Sequence, residues 1–311
     1  MRFPAWHFLI LSASLAFQPS SASATAPPEQ GAQIVGVAGI AYDITDAQKA
    51  RDYYEGFLGF AEAGTLKNPD GSEHVIFIKI NDHQFIELIL EPPTNHGFLH
   101  AAMFETNDAV GMRAALAAKG IHVPDKVMKD AAGNLSFDIA DPSGFDLEIV
   151  QFLPDSLTGK TRGKDMPTAR ISDHIDHIGL LVANREDSWD FYSKAFGFEK
   201  EGDGSKMIIH GGPDRFELGV DKKSPTVDRF HIKDHLCLSN SDVPKMTAML
   251  QAKPIFASEF PKSIPDTHQL PNGKNVVEIY DLDGNRIEVM EPPKESAAGQ
   301  MGSSLSVASG R

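Results

Sequence analysis

Two histidines and two glutamates in the second half of the chain have the types and spacing to hold a divalent metal. His177 lies in HIDHIGLLV and His235 in HIKDHLCLS, two apolar stretches that read as strands. Glu217 lies in RFELGV and Glu288 in RIEVM, again inside alternating patterns. A carboxylate among Phe, Leu, Ile and Val is unfavourable to bury unless it is paired, protonated or bound to a cation. First-row divalent ions accept imidazole and carboxylate together. Taken singly, any of the four is more often structural than a ligand. Their matched placement in related stretches joins them into one candidate centre.

The relation is an internal repeat. IAYDITDAQKARDYYEGFLGF, residues 40–60, aligns with IGLLVANREDSWDFYSKAFGF, residues 178–198, at an offset of 138. Tyr54 falls on Tyr192, and Gly59-Phe60 on Gly197-Phe198. NDAVGMRAALAAKGI, residues 107–121, aligns with SDVPKMTAMLQAKPI, residues 241–255, and SGFDLEIV, residues 143–150, with DGNRIEVM, residues 283–290. Each unit reads as a strand, a helix and three more strands divided by Gly, Asp, Asn and Pro turns. Trp189, Tyr192 and Phe196, spaced three and four apart, share one helix face.

The units fall near residues 34–93, 97–153, 173–223 and 229–293. One βαβββ unit cannot bury both faces of its sheet. Two units together make a curved, partly closed eight-stranded sheet with outer helices and an inner cavity. The expectation is an α+β fold of four βαβββ modules, paired into domains at 33–153 and 173–293. Pro154 to Ser172 reads as a linker and 294–311 as a disordered tail. If unit one paired with four and two with three, the four ligands would separate into two poorer sites.

Strand parity brings further residues to the cavity, because alternate residues share a face. Cys237 shares parity with His235, and its expected role is packing. Glu278, in VVEIYDLDG, reads as a general base or as an ion-pair partner. His268, in SIPDTHQLPNGK, reads as an acid/base at the cavity mouth or as an exposed loop histidine, and His210 is similar. Gly211-Gly212 reads as a turn, since no nucleotide motif surrounds it.

Composition bounds the rest. The 311 residues carry 43 acidic and 29 basic groups, a formal charge of −14. That argues against nucleic acid as the main partner, because phosphate neutralisation needs clustered Lys and Arg. The single cysteine excludes an intramolecular disulfide and a Cys-rich metal site. Arg2, the apolar run FLILSASLAF and Ala22-Ser23-Ala24 follow the grammar of a secretory signal, residues 1–24. The run is too short to span a bilayer. The mature chain is expected to be exported, periplasmic or secreted, with no membrane segment and a small-molecule substrate.

IDHIGLLV, FYSKAFGF, RFELGV, DHLCLS and DLDGNRIEV together resemble the vicinal oxygen chelate superfamily: glyoxalase I, bleomycin resistance proteins and extradiol dioxygenases. The resemblance covers nearly all of residues 34–293. It implies ligands from the opening and final strand of each unit, hence His177, Glu217, His235 and Glu288 around one divalent Fe, Mn, Ni, Co or Zn ion. In the first half Gly39 falls where His177 lies and Ala101 opposite His235, while Glu87 and Glu148 persist. His100 is one step away and would need a bulge to reach the site. The first half therefore reads as a metal-free partner.

Three functions follow from the resemblance. In a glyoxalase-like isomerase or lyase, four ligands hold the metal while a glutamate, Glu217 or Glu288, moves a proton, with Glu278 and His268 as further acid/base candidates. In an Fe(II) ring-cleaving dioxygenase, His177, His235 and Glu288 form a triad. The extradiol pattern, however, expects Tyr where Glu278 stands and Pro where Leu282 stands. In the third reading the protein only binds a small molecule. Export argues against the glutathione adduct that glyoxalase I uses.

Overall fold

Alternation of large apolar residues with small or polar ones marks most of the longer strands, and the described residues form sixteen strands in all. In a computed structural model the described residues are 31–92, 99–209, 213–220, 234–254 and 267–292. The expected signal sequence, the tail and the His210-Gly211-Gly212 turn lie outside them. In chain order the strands of the first half are β1 (Ile34–Asp43), β2 (Ala61–Lys67), β3 (Glu73–Lys79), β4 (Phe85–Ile89), β5 (Leu99–Thr106), β6 (Met128–Lys129), β7 (Leu135–Ala140) and β8 (Asp146–Gln151). The second half has β9 (Ile175–Val182), β10 (Glu199–Glu201), β11 (Lys206–Ile208), β12 (Arg215–Val220), β13 (His235–Ser239), β14 (His268–Gln269), β15 (Asn275–Tyr280) and β16 (Arg286–Met290). Helices α1 (Ala47–Arg51), α2 (Ala109–Ala118), α3 (Arg185–Phe196) and α4 (Val243–Gln251) each follow the opening strand of a module. Each begins at an Asp or Asn that accepts a hydrogen bond from the first turn. α1 continues into a wider π-type turn over Asp52–Phe57. α3 stops at Gly197, whose φ of 75° is the left-handed conformation that glycine adopts without a Cβ penalty.

The two curled sheets have the same order, β2-β3-β4-β1-β5-β8-β7-β6 and β10-β11-β12-β9-β13-β16-β15-β14. The opening strands of consecutive modules pair antiparallel, β1 with β5 and β9 with β13. Module one therefore shares a sheet with two, and three with four, so the second half's four candidate ligands lie on one sheet. The helix-covered faces bury a common apolar core containing Tyr42, Tyr54, Phe104, Tyr192 and Phe216. Phe104 and Phe216 meet with ring centres 5.3 Å apart. Two buried tyrosines cross between the halves in mirror fashion. Tyr54 donates to Asp281 at 3.0 Å and Tyr192 to Asp141 at 3.1 Å. Their positions are those that the repeat aligns.

The segment between the sheets is packed onto the first half. Leu157 lies against the inner face of the first sheet, touching the Gly64 position. The fully buried Lys79 ammonium holds this segment through the carbonyls of Thr161 and Lys164 and is balanced by Asp82 at 2.7 Å. The first sheet's inner face is filled by Ala41, Phe77, Ala101, Met103 and Val150.

Glu87 and Glu148 persist on that filled face. Burial and mutual repulsion with nearby carboxylates raise both, Glu148 to about 7. The folded state thus holds the Glu148 proton more tightly than the unfolded chain. Its contribution is complete below pH about 4.5 and is lost as pH rises through about 7. Glu148→Gln should therefore raise the unfolding free energy by roughly 1–2 kcal/mol at alkaline pH and leave it unchanged near pH 4. Urea titrations at the two pH values check this; an equal gain at both would assign the effect to packing instead of ionisation.

Candidate metal centre

Alternation decides which side chains face the second sheet's concave side. Ile178, Leu180, Leu236, Leu238, Ile287 and Val289 enter the common core. Their neighbours His177, His235, Cys237, Arg286 and Glu288 must then point the other way. Register completes the assembly. Cys237 pairs with His177 on one side and Glu288 on the other, while Gly179 lies between Glu217 and His235. Ligands from four strands thereby reach adjoining rows of one face.

The distances are short. His177 Nε2 lies 3.2 Å from His235 Nε2, 3.4 Å from Glu217 Oε2 and 4.0 Å from Glu288 Oε2. His235 Nε2 lies 3.0 Å from Glu288 Oε2. Donor atoms around a six-coordinate first-row ion, with bonds near 2.1 Å, stand roughly 3 Å apart when adjacent and roughly 4 Å when opposite. The donor set and its spacing therefore fit such an ion. His177, His235 and Glu288 form the compact group, with His177 fully buried and Glu288 only 12 % exposed. Glu217 is 29 % exposed and also pairs with Lys206 at 3.4 Å. It stands at the rim of the group.

Electrostatics keep His177 and Glu288 in ligand form. Burial lowers the His177 imidazole, so the ring is neutral at physiological pH. Burial would raise Glu288, but the hydrogen bond and charge of His235, with His177 and Arg286, outweigh it and hold the carboxyl at about 2. Asp176 is likewise held at about 2, against burial, by His177, Lys206 and Lys274. Its Oδ1 lies 2.7 Å from His177 Nδ1. That contact assigns the proton to Nδ1 and turns the Nε2 lone pair toward the cluster, as carboxylate partners of metal-binding histidines do.

Alternation does not reveal Asp176, since it is adjacent to His177 and should face the core. The register of β13 on β9 skips this residue, Cys237 pairing with His177 and Leu238 with Ile175. That bulge brings both side chains to one site. Arg286 shares parity with Glu288 and was readable in principle. Its Nη1 lies 3.2 Å from His235 Nδ1 and its Nη2 2.5 Å from Glu278 Oε1. Glu278 also accepts from the Tyr280 hydroxyl at 3.2 Å, so it sits in an ion pair. His268 is exposed on β14 instead of in a loop, and it borders the cavity. Cys237 is fully buried against Val276 and Met290, the packing role expected of it, although its sulfur lies near Asp176 and His177.

The cavity above the cluster holds about 430 Å³ and is bordered by Glu217, Glu288, Lys206, Lys274 and Arg286. The first sheet has no equivalent cluster among the described residues. Gly39 and Ala101 occupy the histidine positions, paired with Phe85 and Ala41 as His177 and His235 pair with Arg215 and Gly179. A bulge does occur at His100, but its ring bonds to Asp43 at 2.9 Å.

Known structures share this architecture. The Mn(II)-bound glyoxalase from Novosphingobium aromaticivorans is 15% identical, with 84% of this chain and 83% of that one aligned at a TM-score of 0.60. Homoprotocatechuate 2,3-dioxygenase from Arthrobacter globiformis is 17% identical, with 86% and 82% aligned and a TM-score of 0.62. The 2,3-dioxygenase LapB from Pseudomonas sp. KL28 is 13% identical, with 84% and 93% aligned and a TM-score of 0.63. At such identities the likeness establishes the fold. No curated protein sequence matches significantly. The sequence profile of the Glyoxalase/Bleomycin resistance protein/Dioxygenase superfamily matches residues 37–149 and 174–289, one stretch in each sheet. With the profile spanning both halves and the fold agreeing, the chain belongs to that superfamily.

Proposed function

We propose that the protein is a metal-dependent enzyme of glyoxalase-like isomerase or lyase type, acting on a small anionic substrate with vicinal oxygens. One divalent ion would be held by His177, His235 and Glu288, with Glu217 as fourth ligand, and the first half would carry none. The convergence of two imidazoles and two carboxylates within 4.0 Å of His177 or His235 supports this reading. When bound, the ion supplies Lewis acidity at two adjacent substrate oxygens. Asp176 orients His177 through its Nδ1. Glu217, the more exposed carboxylate and next to the Lys206 ammonium, is placed to carry a proton to and from the substrate carbon. Glu278 is engaged by Arg286 and Tyr280, which supports an ion-pair role over that of free base. His268 at the rim is a secondary acid/base candidate.

Lys206 and Lys274 border the cavity together. That pair favours a substrate bearing a carboxylate or similar anion. A second reading has its own support: the compact three-residue group is the 2-His-1-carboxylate set of non-haem Fe(II) oxygenases. Two assays separate them. The isomerase reading expects solvent deuterium to enter small hydroxy- and oxo-acids at the carbon beside the oxygens, and Glu217→Gln to suppress it. The dioxygenase reading expects O2 uptake with catechols and tolerance of that change. Neither activity in metal-loaded protein would leave ligand binding alone. The signal pattern supports export, with the mature chain expected to begin at Thr25; mass spectrometry of the exported protein tests it.

A further inference from the structure

The first half holds no imidazole pair, yet it reaches the strands that carry the second half's cluster. Tyr42, fully buried on β1, passes its hydroxyl across the common core into the other sheet. That oxygen accepts from the Leu236 amide at 3.1 Å and donates to the Arg286 carbonyl at 3.0 Å. Leu236 follows His235 on β13, and Arg286 lies two residues before Glu288 on β16. The two strands run parallel, with Leu236 opposite Ile287. The hydroxyl therefore bridges a donor and an acceptor that face each other across this ladder. It does so at the rung beside His235 and just before the rung of Glu288. His235 and Glu288 stand on these two strands with Nε2 and Oε2 3.0 Å apart.

Other cross-half contacts fall on the turn between β15 and β16, which leads into β16. Thr45 donates to Asp283 at 2.6 Å and Tyr54 to Asp281 at 3.0 Å. The mirror arrangement is incomplete. Tyr192 reproduces the Tyr54 contact on Asp141, but the repeat partner of Tyr42 is Leu180, which has no hydroxyl to place in the first sheet. The hydroxyl bridge is thus confined to the sheet that carries the histidines.

We propose that Tyr42 is a positioning residue of the metal centre, through which the metal-free half sets the separation of His235 and Glu288. This rests on the metal-centre reading above. Burial, with the Asp281 charge, keeps the phenol protonated, as a donor to Arg286 requires.

The test compares Co(II) binding, by calorimetry and by the ligand-field absorption spectrum, in wild type, Tyr42→Phe and Tyr192→Phe. Both variants remove one buried tyrosine hydroxyl that crosses between the halves. Tyr42→Phe should weaken Co(II) binding about tenfold or more, within the range seen when outer partners of ligands are removed, and alter the spectrum. Tyr192→Phe should lose stability while keeping affinity within about twofold and the wild-type spectrum. Unchanged binding by Tyr42→Phe, or equal weakening by Tyr192→Phe, overturns the positioning role alone. No Co(II) uptake by wild type overturns the underlying metal reading. If Tyr42→Phe does not fold, hydrogen exchange in wild type decides. Coupling is reciprocal, so Co(II) should slow exchange of the Leu236 amide more than that of its counterpart Ala102. Equal slowing would reject the role.

Discussion

His177→Ala and His235→Ala proteins are expected to fold and to retain no stoichiometric metal. Each change removes one of two imidazoles from a group whose nitrogens stand 3.2 Å apart. In each case one imidazole, Glu288 and Glu217 remain, and the neighbouring Arg286 and Lys206 are cations that cannot replace the lost donor. Affinity should fall by more than about 100-fold, the upper end for removing only an outer partner of a ligand. The fold should survive, because the core lies on the opposite face of the same strands and keeps Ile178, Leu180, Leu236 and Leu238. Metal analysis after purification without chelator, together with urea unfolding, measures the two effects separately. Glu217→Gln should weaken binding without abolishing it, because Glu217 lies at the rim. Full metal retention in both histidine variants would place the ion elsewhere.

Gly179→Ala is expected to be nearly as damaging to metal binding without touching a ligand. A Cβ at residue 179 would lie 2.1 Å from Cε1 of the His235 ring and 2.7 Å from its Nε2. The ring is held between Arg286 and Glu288, so it cannot yield without leaving the cluster. Overpacking of this kind typically destabilises by about 1–3 kcal/mol. The first sheet shows the alternative solution. There Ala41 occupies the matching position and faces Ala101, which has no ring to displace. The double variant Gly179→Ala/His235→Ala recreates that pair. It should recover the stability lost by Gly179→Ala while remaining metal-free. Additive stability losses in this double-mutant cycle would mean that the clash is not the cause.

The contrast between the sheets explains why so much was legible beforehand. The repeat aligned Gly39 with His177 and Ala101 with His235, and those pairs hold equivalent ladder positions in the structure. Glu87 and Glu148 hold the places of Glu217 and Glu288, on a face packed with apolar side chains and the Leu157 segment. The composition of Pro154–Ser172 suggested a linker; the contacts of Lys79 and Leu157 show how it packs. Asp176 is not legible in the sequence because a bulge overrides alternation. Nor is the role of Tyr42, whose partners lie 194 and 244 residues away along the chain.

The sequence by itself determined the four modules, their strand–helix–strand order and the face on which His177, His235, Glu217 and Glu288 lie. Those properties follow from periodicity, which is local: a strand residue's face depends on its immediate neighbours. Tertiary structure decided which modules share a sheet, how far apart the four ligands stand, and which cations and carboxylates steer them. These depend on register between strands distant in the chain and on a hydroxyl from the other half. Register is a collective outcome of packing, so no single segment encodes it.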